Sequence, residues 1–213
     1  MELDARVVDL LLSRLFHDLI GPASATSNGI ELLEEFGPRG NDPIAVEALD
    51  LIGASARQSA DRLSYFRLAF GGAGNSDEHS VATTRQVAEA YFSSRKIPLE
   101  FTAAVDGTSQ PRAGIIKALL ASLLLMADSL PRQGRVTVEI GYDLRVAVSA
   151  VGAGAEIEPG SIASLSAADW TDGLNTRTVI GAVVGHTARR FDLDLEVENE
   201  PDTPRLTFRT RNN

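Results

Sequence analysis

Apolar residues, with an occasional Thr or Ser, recur three and four positions apart along two stretches of the N-terminal third, which is the spacing of one face of an α-helix. These positions are Val8, Leu12, Leu15, Leu19, Pro22, Thr26, Ile30 and Leu33, and then Leu49, Ile52, Ala56, Ser59, Leu63, Phe66 and Phe70. Between the stretches lies FGPRGNDP at 36–43, in which Asp42 followed by Pro43 is typical of a helix start. The pattern predicts two antiparallel helices at about 4–35 and 43–70.

The first predicted helix carries more apolar residues than its partner helix can cover. The surplus residues are Val7, Leu10, Leu11, Phe16, Ile20 and Leu32. Two hairpins packed together as a four-helix bundle would bury this surplus, so we expect a homodimer. The alternative is that the hairpin packs against the C-terminal half of its own chain.

A glycine-rich stretch, GGAGNS at 71–76, divides the chain. Glycine, asparagine and serine in such a run favour a flexible connection. We therefore expect a helical hairpin at 1–70, a hinge at 71–78 and a second domain at 79–213.

The second domain mixes the periodicities of helices and strands. Helix-like segments lie at 83–95, 112–130 and 177–191, and strand-like segments lie at 98–105, 136–151, 193–199 and 204–210. The polar residues in the middle of 136–151 predict a β-hairpin there, followed by a Gly-rich loop at 152–160. This order of segments predicts an α+β fold with one mixed sheet and helices on one of its faces.

Composition excludes several classes of protein. The 213 residues carry a formal charge of -9, which argues against a nucleic-acid-binding surface, and they include no cysteine for disulfides or thiolate metal sites. The longest apolar run, at 118–127, is too short to span a bilayer. The first residues, MELDARVVDL, lack the basic start of a signal peptide. We therefore expect a cytoplasmic protein that contacts neither nucleic acid nor membrane.

The segment RLFHDLIGPAS at 14–24 places a histidine beside an acid, one turn before a helix breaker. Because the apolar spacing continues beyond Pro22, we expect one long helix with a kink there. A neutral imidazole is a nucleophile near pH 7, so His17 is a candidate for covalent chemistry, although an isolated pair such as His17-Asp18 is usually an ordinary surface feature. The residues that share the helix face of His17 include Arg14, Gly21, Ser24 and Asn28.

The motif H-D-L-I-G-P at 17–22 resembles the phosphoacceptor box of sensor histidine kinases. In that box a histidine, an acid and a proline five positions after the histidine lie on the first helix of a dimeric bundle. The C-terminal half resembles the ATP-binding sandwich of the same enzymes in the order of its parts: core helix, P-R-Q-G turn, strand pair, Gly-x-Gly loop, late helix and final strands.

The nucleotide chemistry of those kinases is missing from this chain. The core helix has Ala121 and Met126 in the region where the kinases carry a metal-binding asparagine, and Ala150 replaces the aspartate of their D-x-G-x-G motif. The phosphate loop is reduced to DGLNTRT at 172–178. We therefore expect no ATP binding and no metal on this chain, and a structural turn at the remaining Gly152 and Gly154.

A kinase-like chain with a phosphoacceptor box and a degenerate nucleotide site resembles the ChpT family of histidine phosphotransferases, from alphaproteobacterial cell-cycle phosphorelays. The resemblance implies a dimeric four-helix bundle followed by a degenerate histidine-kinase ATPase-like α/β sandwich. It implies that His17 is the phosphoacceptor, that Asp18 orients or deprotonates the imidazole, and that Pro22 marks the helix kink. The implied receiver-binding residues are Arg14, Gly21, Ser24 and Asn28.

The same resemblance implies the partners. Phosphoryl groups would come from the receiver domain of a CckA-like hybrid kinase and pass to CtrA-like response regulators, with Mg²⁺ supplied by the receiver. Three alternatives stay open: an active ATP-dependent kinase, a scaffold that docks receivers without catalysis, and a receiver phosphatase. For Arg14 a surface salt bridge is the competing interpretation. We expect His79 to be solvated, His186 to lie on a helix surface or in packing, and Trp170 to be a packing residue of unknown role.

Overall fold

The computed structural model describes residues 5–36, 43–72, 79–111, 113–166 and 173–211. Most of the predicted hinge and Trp170 lie outside these residues. The helices are α1 (Ala5–Phe36), α2 (Pro43–Ala69), α3 (Val81–Ser94), α4 (Ala113–Asp128), α5 (Pro159–Ser166) and α6 (Val179–Arg190). The strands are β1 (Leu99–Ala103), β2 (Arg135–Ile140), β3 (Val146–Val151), β4 (Leu193–Glu198) and β5 (Arg205–Thr210).

The five strands form one mixed sheet in the order β1-β2-β3-β5-β4. β1 pairs with β2 in parallel, and the other neighbours are antiparallel. Helix α4 is apolar on nearly all sides because it lies between the sheet and the helices α2 and α6. The α+β class and every element predicted from periodicity are confirmed, whereas α5 was not predicted.

The two N-terminal helices form an antiparallel pair that approaches closely at Gly29. A Cβ atom on Gly29 would lie 2.6 Å from Cγ1 of Ile52. On α2 the buried residues of this contact are small, and they include Ala45, Ala48 and Ser55. Leu49 and Leu63, which share the predicted apolar spacing of α2, are 59% and 54% exposed and do not take part in this contact. Small side chains let the two backbones come close, and this leaves the large residues on the outside.

The surplus apolar residues of α1 are divided between two environments. Val7 is buried, and Leu10 and Leu11 pack against the main hydrophobic core. These three residues follow the alternative in which the hairpin packs against the C-terminal half of its own chain. In contrast, Phe16 and Ile20 are 57% and 62% exposed. The exposed large apolar residues of the two helices are Val8, Leu12, Phe16, Ile20, Ile30, Leu32, Ile44, Val46, Leu49, Leu51 and Leu63. Within the described ranges, no helix has the length and hydropathy needed to cross a membrane.

Candidate active site

His17 lies in the middle of α1 and presents its ring to solvent. Its side chain is 91% exposed, and Nδ1 is 3.9 Å from Oδ1 of Asp18. This distance is longer than a hydrogen bond. A carboxylate near Nδ1 nevertheless favours the tautomer that carries the proton there, which leaves the lone pair on Nε2. The site thus offers an accessible nitrogen nucleophile beside an acid, and the two predicted residues lie together.

The carboxylate of Asp18 is held by two residues of α3 and the turn that follows it. The hydroxyl of Tyr91 donates to Oδ2 of Asp18 at 3.2 Å, and Nη1 of Arg95 lies 4.0 Å from the same oxygen. Arg95 Nη1 also donates to the Tyr91 hydroxyl at 3.0 Å. Neither residue was predicted, because no motif surrounds them and 73 positions separate Asp18 from Tyr91.

Helix α1 continues through Pro22, as predicted from the apolar spacing. Proline has no N–H, so the carbonyl of Asp18, four positions earlier, has no donor within the helix. Nη1 of Arg62 on α2 donates to this carbonyl instead. The backbone of Asp18 is therefore tied to α2, and its side chain is tied to α3. The kink at Pro22 stays a prediction.

The Tyr91 ring that contacts Asp18 stacks on a second buried tyrosine, Tyr65. The rings of Tyr65 and Tyr91 stack with their centroids 4.1 Å apart, and the Tyr65 hydroxyl donates to the carbonyl of Leu120 at 2.6 Å. Burial raises the pKa of Tyr91 from 10.0 to about 12 and raises the pKa of Tyr65 well above its ordinary value. Both hydroxyls therefore remain protonated donors at physiological pH.

These shifts predict a loss of stability at high pH. A phenol whose pKa is raised in the folded protein contributes stability that is complete below its unfolded pKa, and this stability is lost as the pH rises towards the folded pKa. The window for Tyr91 runs from 10.0 to about 12. We expect its contribution to fall by up to about 3 kcal/mol across this window. Urea unfolding at several alkaline pH values measures the fall, which should be smaller in Tyr91→Phe. An equal fall in the variant would contradict the assignment.

Arg14 lies one turn before His17 but is directed towards the C-terminal half. Its Nη2 is 2.6 Å from Oδ2 of Asp128, its Nη1 donates to the carbonyl of Thr176 at 3.2 Å, and its side chain is only 15% exposed. Burial raises the pKa of the Asp128 carboxyl, and the charge of Arg14 opposes this rise. The structure thus contains the salt bridge that was the competing interpretation of Arg14. The receiver-binding role of Arg14 stays a prediction.

The other predicted receiver-binding residues continue along α1 beyond His17. Gly21, Ser24 and Asn28 are all exposed, and a Cβ atom on Gly21 would have no neighbour within 4 Å. Their small side chains leave the surface around the imidazole open. Of the other histidines, His186 is buried, whereas His79 is half-buried instead of solvated.

The three residues that stand where the kinases carry nucleotide ligands are apolar and buried. Ala121, Met126 and Ala150 are fully buried and offer no polar side chain. Gly154 has a φ of +75°, and its N–H donates to Oδ1 of Asp202 at 2.6 Å. A Cβ atom on Gly152 would lie 2.5 Å from the carbonyl oxygen of Gln133. The two glycines therefore form a tight turn, as predicted. Across the described residues, no three His, Asp or Glu side chains are grouped to hold a metal ion.

Comparison with known proteins identifies the family of the chain. The family model of the histidine phosphotransferase C-terminal domain matches residues 81–203, and the chain belongs to this family. Protein phosphotransferase ChpT of Brucella abortus (strain 2308) is 37% identical over 132 residues, which are 62% of this chain and 59% of that protein. The match thus spans less than two thirds of the curated relative.

A solved structure of a bacterial phosphotransferase resembles the whole chain. It is 25% identical, superposes with a TM-score of 0.78, and the match covers 98% of each chain. The helical hairpin and the α+β domain therefore occur together in a known phosphotransferase. The resemblance to the ChpT family that the sequence indicated is confirmed.

Proposed function

We propose that this chain is a histidine phosphotransferase that shuttles phosphoryl groups between aspartates of receiver domains through a phosphohistidine at His17. The single observation that carries the proposal is the exposed His17 ring, whose Nδ1 lies 3.9 Å from the carboxylate of Asp18. The family of the chain supports the same class of reaction.

In the first half of the reaction, the lone pair of His17 Nε2 attacks the phosphorus of an aspartyl phosphate on the donor receiver. The N–P bond forms as the P–O bond to the aspartate breaks, and the electron pair of that bond leaves with the carboxylate. The proton stays on Nδ1, so the phosphorylated ring is an imidazolium. The nearby carboxylate of Asp18 stabilises this positive charge.

In the second half, a carboxylate oxygen of the acceptor receiver attacks the same phosphorus. The N–P bond breaks, its electron pair returns to Nε2, and the neutral imidazole is restored. The transition state of phosphoryl transfer is loose, so positioning and charge contribute more than covalent assistance from the protein.

Neither ATP nor a metal ion on this chain takes part in the proposed reaction. The apolar, buried residues Ala121, Met126 and Ala150 support this part of the proposal. Mg²⁺ would be bound by the receiver partner. We propose CckA-like receivers as donors and CtrA-like response regulators as acceptors, which exchange phosphoryl groups with this chain in the cytoplasm. They would dock on the exposed surface of Gly21, Ser24 and Asn28, with Arg14 at its border.

The test is transfer of label from a purified receiver that carries ³²P on its aspartate, in the presence of Mg²⁺. We expect label on this chain with the stability of a phosphoramidate, which is labile in acid and stable in alkali, and then on a second receiver. Release of inorganic phosphate without label on the chain would indicate a phosphatase instead. Labelling of the chain from ATP and Mg²⁺ without any receiver would indicate a kinase and overturn the proposal.

We also propose that the chain is a homodimer in which the two hairpins form a four-helix bundle. The many exposed large apolar residues of α1 and α2 support this, because packing against a second hairpin would remove them from water. Ile20 is 62% exposed, and burial of this exposed part against a second copy would contribute about 1 to 2 kcal/mol.

The dimer predicts the effect of a charged residue at this surface. We expect Ile20→Glu to raise the dimer dissociation constant at least about 100-fold, because two carboxylates would enter each interface. Sedimentation equilibrium measures the change. Val197→Glu, on the sheet, is the matched control and should leave the dissociation constant unchanged. A monomeric wild-type chain at tens of micromolar, or a dimer unaffected by Ile20→Glu, would contradict the four-helix bundle.

A further inference from the structure

The carboxylate beside His17 is held by Tyr91 and Arg95 of the C-terminal half, whereas the backbone carbonyl of Asp18 is held by Arg62 of the hairpin. Tyr91 is fully buried near the end of α3, and Arg95 follows the last residue of that helix. Both belong to the segment that matches the family model. In this half, apolar residues stand where the kinases carry their nucleotide ligands. The contact of Tyr91 and Arg95 with Asp18 indicates that this half serves the phosphoacceptor site instead.

We propose that Tyr91 and Arg95 are positioning residues for phosphoryl transfer, which hold the Asp18 carboxylate where it keeps the proton of His17 on Nδ1 and leaves Nε2 free to react. This inference rests on the proposed function of His17. It extends that function by making the C-terminal half a part of the phosphoacceptor site.

The geometry of a helix explains why Asp18 needs such partners. Adjacent residues point about 100° apart around an α-helix, so a carboxylate next to His17 is not directed at its ring. A free aspartate at this position would sample several rotamers and turn towards water. The Tyr91 hydroxyl and the Arg95 guanidinium both approach Oδ2, which leaves Oδ1 as the oxygen nearest to His17 Nδ1.

The partners of Asp18 are themselves rigid. The ring of Tyr91 is fully buried and stacks on Tyr65, and the guanidinium of Arg95 lies 5.7 Å from the centre of the Tyr91 ring. Arg62 holds the backbone carbonyl that Pro22 leaves without a helical donor. The residue next to the phosphoacceptor is thus fixed at its backbone by α2 and at its side chain by the C-terminal half, and such preorganisation assists a reaction that depends on positioning.

The test compares two variants with two matched controls in the full-length protein. Tyr91→Phe removes the hydroxyl that contacts Asp18, and Tyr65→Phe removes the hydroxyl of the neighbouring stacked ring, which contacts Leu120 instead. Arg95→Gln removes the charge near Asp18, and Arg85→Gln removes an exposed charge that is paired with Glu89 on α3.

We expect Tyr91→Phe and Arg95→Gln to lower the rate of transfer from a saturating phosphorylated receiver about tenfold, with an unchanged KM. Tyr91 is fully buried and the Arg95 side chain is only 26% exposed, so receiver docking should be largely preserved. Nitrogen-detected NMR of the His17 ring should show a smaller fraction of the Nδ1-protonated tautomer. Arg95→Lys should restore part of the rate, and both controls should stay within about twofold of the wild type.

The outcomes separate this inference from the function on which it rests. A wild-type chain that accepts no phosphoryl group at His17 would overturn the proposed function. A wild-type chain that is phosphorylated, with Tyr91→Phe and Arg95→Gln equal to it in rate and tautomer, would overturn only the positioning role. The side chain of Arg95 is 26% exposed, so Arg95→Gln is expected to fold and to decide the question even if Tyr91→Phe does not.

Discussion

Replacing His17 with glutamine is expected to lower phosphoryl transfer between receivers to less than about one thousandth of the wild-type rate. The glutamine amide has no basic nitrogen lone pair, so no phosphoramidate can form and no other group of the site takes over as nucleophile. The measurement is the appearance of ³²P on the acceptor receiver from a labelled donor receiver, with this chain in catalytic amounts.

The fold should tolerate this substitution, which makes the loss of activity informative. The His17 side chain is 91% exposed, and exposed substitutions of this kind usually change the free energy of unfolding by less than about 0.5 kcal/mol. Thermal unfolding and sedimentation should therefore match the wild type. His79→Gln, at a histidine outside the site, is the control and should transfer at the wild-type rate.

The same variant decides between transfer and a scaffold role. A scaffold that only docks receivers would still support signalling after His17→Gln, because receiver binding depends on the surface around the ring more than on its nucleophile. If His17→Gln binds a receiver with unchanged affinity and also still permits receiver-to-receiver transfer, the phosphotransferase proposal is wrong.

The elements that the sequence predicted correctly are those with long and regular periodicity. Helix α1 was identified across Pro22 because the apolar spacing persists on both sides of the proline. The short helix α5 was missed, because its eight residues contain a proline, a glycine and three serines, which have weak helix propensity. Its close packing against α6 stabilises it, and tertiary contacts of this kind have no local signature.

The residues of α2 that contact α1 could not be identified from the apolar spacing for a related reason. Large apolar residues at helical spacing include Leu49 and Leu63, whereas the residues that pack against α1 include the small Ala48 and Ser55. Periodicity of hydrophobicity identifies an apolar face but does not show which face a neighbouring helix will approach most closely. Gly29 on α1 is the feature that favours the small-residue face of α2.

At the site, the local pair was predictable and its supporting residues were not. The missing N–H of Pro22 requires that some other donor reaches the carbonyl of Asp18, since buried backbone groups are seldom left unpaired. That argument does not identify Arg62, which is 44 positions away. Tyr91 and Arg95 likewise reach Asp18 only through the packing of α3 against the hairpin, which the sequence pattern does not contain.

Replacing Gly185 with alanine is expected to destabilise the C-terminal half by about 3 kcal/mol or more. Helix α5 crosses α6 so closely at this point that an added Cβ would overlap the carbonyl oxygen of Leu165 and lie 2.8 Å from its carbonyl carbon. The atoms that the methyl group meets belong to backbone and cannot move aside by changing a rotamer, so α5 must shift as a whole and lose its packing on α6. For a chain of this length, the expected change corresponds to a fall in the melting temperature of roughly 6 to 12 °C.

Gly21→Ala is the matched control for Gly185→Ala, because both glycines lie inside a helix and only one of them is packed. Apart from its chain neighbours, a Cβ atom on Gly21 would meet nothing within 4 Å. The higher helix propensity of alanine is offset by its contact with the ring of the following proline, so stability should change by less than about 1 kcal/mol. Urea unfolding of both variants gives the comparison. A Gly185→Ala variant as stable as the wild type would contradict the close packing of α5 on α6. Close packing would then not explain why the serine- and glycine-containing sequence of α5 is helical.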